Sequence, residues 1–184
     1  MAEIGSPETV LAFSRQFQVD QIPAGGLKDR IEANAEERGA IAELLGLESL
    51  GSLSLAFELK PVGAKCFVVL GRLAARLKQI CVVSLEPIEV DIDRAIEMEF
   101  APEKEFLRRQ EIVEDELSDP AAMDLEPILG GAIDLGHLAY ECIATEIEPY
   151  PRKQGIDFEW KPAGMPGAEE DDGPFSALKV LKEK

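Results

Sequence analysis

Cys66 to Phe100 reads CFVVLGRLAARLKQICVVSLEPIEVDIDRAIEMEF, and the parity of its residues is the most informative feature of the chain. From Phe67 to Leu85 the odd positions are Phe67, Val69, Gly71, Leu73, Ala75, Leu77, Gln79, Cys81, Val83 and Leu85, an almost unbroken apolar row. The even positions begin apolar at Cys66, Val68 and Leu70, then turn basic at Arg72, Arg76 and Lys78. Past Glu86-Pro87 the parity flips. Ile88, Val90, Ile92, Ile96, Met98 and Phe100 share one side, and Glu89, Asp91, Asp93, Glu97 and Glu99 share the other. A strand alternates sides with period two, so this predicts a long β-hairpin with one dry and one wet face. The wet face is basic on the first strand and acidic on the second. Arg94 interrupts its apolar row, which suggests a strand end, a bulge or a snorkelling side chain at a sheet edge.

Upstream, Leu53, Leu55, Phe57 and Leu59 alternate with Ser52, Ser54, Ala56, Glu58 and Lys60, a further strand that Pro61–Ala64 turns into the hairpin. Phe13, Arg15, Phe17, Val19 and Gln21 read as a first strand ended by Ile22-Pro23, and Leu27–Ala33 as a short second one. Asn34 with Glu37 three residues on is a capping box. It opens a helix over 35–45 with Ala40, Ile41, Leu44 and Leu45 on its inner side, closed by Gly46. Asp134 caps a second helix over 134–148, whose stripe is Leu135, Leu138, Ala139, Cys142, Ile143 and Ile147.

Between these elements, residues 101–128 carry nine acidic residues against Lys104, Arg108 and Arg109, a net −6. They read as a mobile acidic insertion with a transient helix around Phe106–Leu117. Residues 154–184, with GMPGAEEDDGPF, read as a disordered acidic tail. The expected fold is α+β: a curved antiparallel β-meander, or a barrel-like sheet helped by a bend at Gly71, packed against the two helices. A single domain over 12–153 would hold it.

A chain of 184 residues with 46% hydrophobic content can bury a core. Its formal charge of −17 and pI near 4.4 repel nucleic-acid phosphates at long range and attract basic partners, yet leave room for RNA binding through a local basic patch. Three widely spaced cysteines imply no disulfide framework and point to a reducing, cytoplasmic setting. No signal pattern opens the chain, and no apolar run approaches the roughly 20 residues that span a bilayer. No membrane partner is expected.

Few residues carry candidate chemistry. His137, between Asp134 and Glu141, offers three metal-ligand types on one helix, but Asp134 is explained as the cap and His137–Glu141 as an i,i+4 surface pair. Cys81 lies on the apolar row and Lys78 on the other, which favours an inert packing thiol over a reactive one. Arg72, Arg76 and Lys78 form a stripe about 20 Å long that could follow phosphates. Alternatively, with a turn over Ser84–Pro87, Lys78 would fall opposite Asp93 and Arg72 opposite Glu99 as cross-strand ion pairs. Tyr150, Arg152 and Lys153 place an aromatic and two cations where nothing adjacent neutralises them. Phosphate-binding glycine loops, nucleophile elbows and zinc-protease motifs are missing, so neither an enzyme of known type nor a small-molecule substrate is indicated.

Four stretches taken together resemble the YceD family, the large ribosomal RNA subunit accumulation proteins. They are FSRQFQVDQIPAGG, AEERGAIAELLGL, GRLAARLKQICVVSLEPIEVDIDRAIEMEF and IDLGHLAYECIATEIEPYPRK, which span roughly residues 12–153 in the order of alphaproteobacterial-type members. Cys81 and Asp134 fall at motif positions. The resemblance implies a non-enzymatic role in accumulating the large-subunit (23S) ribosomal RNA. Two routes stay open. One is binding of the rRNA precursor or a pre-ribosomal particle. The other is an acidic adaptor that holds a basic ribosomal protein or assembly factor. Many relatives carry C-x-x-C where this chain has Cys81-Val82-Val83-Ser84, with further cysteines after the last helix. Here Ser84 and Pro149–Lys153 supply none, so the metal site that the resemblance would bring is not expected, nor any other cofactor.

Overall fold

The computed structural model describes residues 12–63, 65–113 and 124–156. The chain divides after Gln154, and the architecture that follows belongs to the unit that ends there. Its elements in order are β1 (Gln16–Gln18), β2 (Leu27–Glu32), α1 (Ala35–Leu44), β3 (Ser49–Pro61), β4 (Phe67–Ile80), β5 (Pro87–Pro102), α2 (Glu103–Val113), β6 (Asp124–Ile128), β7 (Ala132–Asp134) and α3 (Leu135–Glu146). The fold is α+β. Strands β2-β3-β4-β5-β6 form one sheet, antiparallel except where β6 joins β5 in parallel, and β1 pairs with β7 in a small second one.

The large sheet does not close into a barrel, because β2 and β6 remain as its edges. Gly71 is neither bend nor bulge; the register instead shifts between Leu50 and Ser52. What Gly71 provides is close approach: a Cβ there would lie 3.0 Å from the Ala56 carbonyl oxygen and 3.0 Å from Leu55 Cδ1.

The long hairpin is present, and its parity decides its faces. Phe67, Val69, Leu73, Ala75, Leu77, Ile92, Ile96 and Phe100 are buried with Leu53, Leu55, Phe57 and Leu59 of β3, whereas Arg72, Arg76, Lys78, Glu89, Asp91 and Asp93 are exposed. The alternation stops at Cys81, short of the expected Leu85, which is exposed. Residues 81–86 form a wide turn, closed by Cys81 N–H donating to the Glu86 carbonyl and Leu85 N–H to the Cys81 carbonyl. The register therefore differs from that of a tight turn over Ser84–Pro87: Lys78 faces Glu89, Arg76 faces Asp91 and Arg72 faces Ala95. The slip is an even number of residues, so every side chain keeps its face.

The inner face is covered by α1, α3 and the β1–β7 pair. On α1 the buried residues are Ile41 and Ala42, while Ala40 and Leu44, both expected inside, are exposed. The first strand is only three residues long, because the chain turns into a 3₁₀ turn at Val19–Gln21. α3 ends at Glu146, two residues earlier than its sequence suggests. The acidic segment is not an unstructured insertion at its ends. α2 begins directly after β5, and β6 adds a parallel strand against Met98–Pro102. The rest of that segment, with the expected helix beyond Val113, lies outside the described residues, as does nearly all of the acidic tail.

Candidate functional site

The basic stripe is closed by the neighbouring strand. On the outer face Arg76 Nε donates to Asp91 Oδ1 at 2.8 Å, and Lys78 Nζ lies 3.1 Å from Glu89 Oε1. Arg72 reaches diagonally to Asp93 with both Nε and Nη2, the latter at 2.7 Å. That hydrogen-bonded guanidinium holds the Asp93 carboxyl below its ordinary value. All six side chains are exposed, so solvent screens each pair and none adds much to the stability of the fold. Their consequence is electrostatic: the cations that could follow phosphates already face carboxylates. Arg94, on the inner side of a stretch of β5 that β6 does not cover, lies 3.3 Å from Glu146 of α3, and no bulge is needed to place it.

A second cluster forms where the hairpin turn meets the chain after α3. Val82 N–H donates to the Pro151 carbonyl at 2.9 Å, and Gln79 Nε2, on the dry row, donates to the Glu148 carbonyl at 2.9 Å. Cys81 is fully buried, and its Sγ accepts N–H groups from Ser84 and Lys153, each at 3.4 Å. Hydrogen bonding by Ser84 first, side chain and backbone, and then by the Lys153 N–H pulls the thiol down to about 6. Lys153 is not unneutralised: its Nζ sits 2.7 Å from Glu86 Oε2. Tyr150 is 72% exposed, and Arg152 is exposed with no ion pair among the described residues. The two segments that converge on Cys81 offer one sulfur, the Ser84 side chain and the Glu86 carboxylate, which Lys153 already holds. Those groups do not fit a zinc ion, which takes four N, S or O ligands. Among the described residues no group of three or more His, Cys, Asp or Glu side chains is placed to hold a metal.

Asp134 does more than cap α3. Its Oδ1 accepts the N–H of Gly136 and His137 at 3.0 Å each and the N–H of Arg15 at 2.8 Å, while Oδ2 accepts the Ser14 hydroxyl. Gly136 is required at this crossing, because a Cβ would lie 2.6 Å from the Arg15 nitrogen. Arg15 then grips Glu37 of the α1 capping box with two hydrogen bonds, at 2.7 and 3.0 Å. The caps of both helices are thus wired together through one arginine. Sequence reading found each cap but not the link, since nothing local relates Arg15 to residues 22 and 119 positions away.

His137 Nε2 lies 3.1 Å from Glu141 Oε1, the expected i,i+4 pair. Asp134, turned to the backbone, does not join them. His137 and Glu141 instead border a cleft of about 320 Å³, which Glu126 of β6 also lines. Glu126 was not singled out from the sequence, where it is one acid in an acidic run. Burial, with the charge of Glu141 behind it, pushes its carboxyl up.

The fold is that of an acidic α+β protein in which three exposed cations of β4 are paired with carboxylates of β5. The particular family follows from comparison: the model of the large ribosomal RNA subunit accumulation protein YceD matches residues 69–182, well over half of the chain, and the chain belongs to that family. The family's description names accumulation of the large ribosomal RNA subunit and no reaction. No curated protein and no solved structure matches this chain. No helix among the described residues is long and apolar enough to cross a membrane.

Proposed function

We propose that this protein supports accumulation of large-subunit (23S) ribosomal RNA as a cytoplasmic, non-enzymatic acidic adaptor that holds a basic ribosomal protein or assembly factor, with residues 12–153 as the working domain. The observation that carries this reading is the closure of Arg72, Arg76, Lys78 and Lys153 by Asp93, Asp91, Glu89 and Glu86. With the stripe paired and the chain at −17, the long-range field favours a cationic partner over a phosphate backbone. The test is a pull-down with the full-length chain from cell extract, with and without nuclease. Basic proteins retained after nuclease support the adaptor; loss of every partner after nuclease overturns it.

A second reading, direct contact with rRNA or a pre-ribosomal particle, is supported by the exposed Tyr150 and by Arg152, which has no ion pair among the described residues. An aromatic face next to a guanidinium suits an unstacked base and its phosphate. Substituting Arg152 and Lys153 with Ala should then weaken co-sedimentation with pre-ribosomal particles at unchanged thermal stability. Unaltered co-sedimentation counts against that patch.

A further inference from the structure

The cleft bordered by β6, β7 and α3 combines two environments. Phe100, Pro127 and Leu138 give it apolar walls, and Leu129 at its margin is 64% exposed. Its polar groups are mainly acidic: Glu126 and Glu141 line it, with His137 between them in the chain, and among the described residues no lysine or arginine lines it. The third carboxylate, Asp134, is committed to four donors and has little left to offer.

Glu126 is the anomaly. Its surroundings are partly desolvated, and among the described residues its carboxylate has neither a hydrogen bond nor an ion pair. Withdrawing a carboxylate from water without a partner is costly. Glu58, Glu99 and Glu105, also half-buried, are each closed by a cation: Lys60 and Lys28, Arg109, and Arg108 with Arg109. Among the described residues Glu126 is left without such a cation, with Glu141 and His137 among its charged or titratable neighbours.

We propose that this cleft receives a single long cationic side chain, an arginine or lysine, from the basic protein partner. The inference rests on the adaptor reading above and names what that adaptor grips. The methylene stem would lie along Phe100, Pro127 and Leu138 while the charged head meets Glu126 and Glu141, the division of labour that such side chains make at apolar surfaces with charged rims. Two carboxylates in one cleft repel a phosphate and favour a cation over an RNA backbone as the occupant. A cleft near 320 Å³ is at the small end for ligand pockets, which suits one side chain rather than a larger group.

The experiment is a ¹H–¹⁵N correlation titration of the full-length protein with N-acetyl-arginine amide and, in parallel, its neutral isostere N-acetyl-citrulline amide. Saturable shifts at Leu129, Ile133, His137 and Glu141 with the arginine compound alone are expected. Glu126→Gln should weaken that response at least about tenfold. Glu141→Gln should weaken it too, and Glu97→Gln, exposed on the outer face of β5, should leave it unchanged. An equal response to citrulline, an Arg-induced pattern spread over the outer strand face, or full affinity in both cleft variants overturns the proposal. A single-stranded RNA that shifts the same cleft signals does so as well.

The nuclease pull-down separates the two readings. If basic partners survive nuclease equally with wild type and Glu126→Gln, the cleft proposal falls and the adaptor stands. If wild type loses all partners, the adaptor reading falls while the arginine titration still reports on the cleft.

Discussion

The carboxylate of Asp134 accepts the backbone N–H of Arg15 at 2.8 Å, across 119 residues of chain, while the same oxygen caps α3. One side chain therefore satisfies orphan N–H groups of the helix and anchors the β1 segment on it. Asp134→Ala removes the cap and strands the Arg15 donor, with an expected loss of about 2 to 3 kcal/mol. Asp134→Asn, which keeps an acceptor, should cost less. Gly136→Ala places a Cβ 2.6 Å from the Arg15 nitrogen and 2.7 Å from the Ser14 carbonyl carbon, so backbone must move and the loss should be at least as large. Urea midpoints at constant m-value check all three. A midpoint unchanged in Asp134→Ala would refute the link.

Glu37 carries the same hub into α1. Hydrogen bonding from Arg15, assisted by the Asn34 N–H, holds its carboxyl below the ordinary 4.5 despite partial desolvation. A carboxyl lowered by folding contributes stability that is present above its ordinary value and is lost as pH falls through the folded one. Glu37→Gln should therefore lower stability at neutral pH by about 1 kcal/mol, the scale of a partly buried charged hydrogen bond. The deficit relative to wild type should fade as the medium is acidified below the carboxylate range. Paired thermal melts across pH 3 to 7 read this, and a deficit that stays constant with pH would contradict it.

Much of the architecture can be read from residue order, because period-two burial and helix caps are local signals. The dry rows of β3, β4 and β5, the Asn34 capping box and the Asp134 cap all follow from neighbours a few residues apart. What escaped depends on distance or on choices without a local marker. Hairpin register hinges on whether residues 81–86 form a wide or a tight turn, and an even slip leaves the same faces buried, so hydrophobic pattern cannot choose between them. Cross-strand partners of Arg72 and Lys78 were accordingly misassigned although ion pairing was foreseen. β6 lies in an acidic run whose composition resembles a solvated linker; parallel pairing with Met98–Pro102 overrides that composition. Glu126 becomes distinctive only once β6 carries it into the cleft that α3 also lines.

Opening the closed stripe gives a direct test of what the β5 carboxylates do. Asp91→Asn with Asp93→Asn leaves Arg76 and Arg72 in place without their partners. Affinity for a short single-stranded RNA should then rise above the wild-type level, and the salt slope should steepen by about 1 to 2 as two phosphate contacts become available. Stability should change little, because both pairs are exposed and screened by solvent. Fluorescence anisotropy against salt concentration gives both slope and affinity. If wild type already binds as tightly as the double variant, the pairs do not mask the stripe.

Cys81 presents the reverse of what its burial alone would give. A thiol removed from water is ordinarily pushed up, yet two N–H donors at 3.4 Å and the Ser84 side chain favour the thiolate and bring it from 9.0 to about 6. Absorbance near 240 nm should titrate around that value in the folded protein, and the step should vanish in Cys81→Ala. Ser84→Ala, which deletes the largest stabilising contact, should move the midpoint upward. For an acid lowered by folding, the linked stability is fully present above the ordinary value of 9.0 and disappears as pH falls through about 6. Wild type should therefore gain on Cys81→Ala steadily between those two values, and below the lower one the gap should reach a floor set by packing alone. Reaction with alkylating reagents should stay slow despite the thiolate, because the sulfur is buried under the turn and the Lys153 backbone. A gap between the two proteins that does not vary with pH would show that the sulfur is held as a neutral thiol and that the turn is docked by packing rather than by charge.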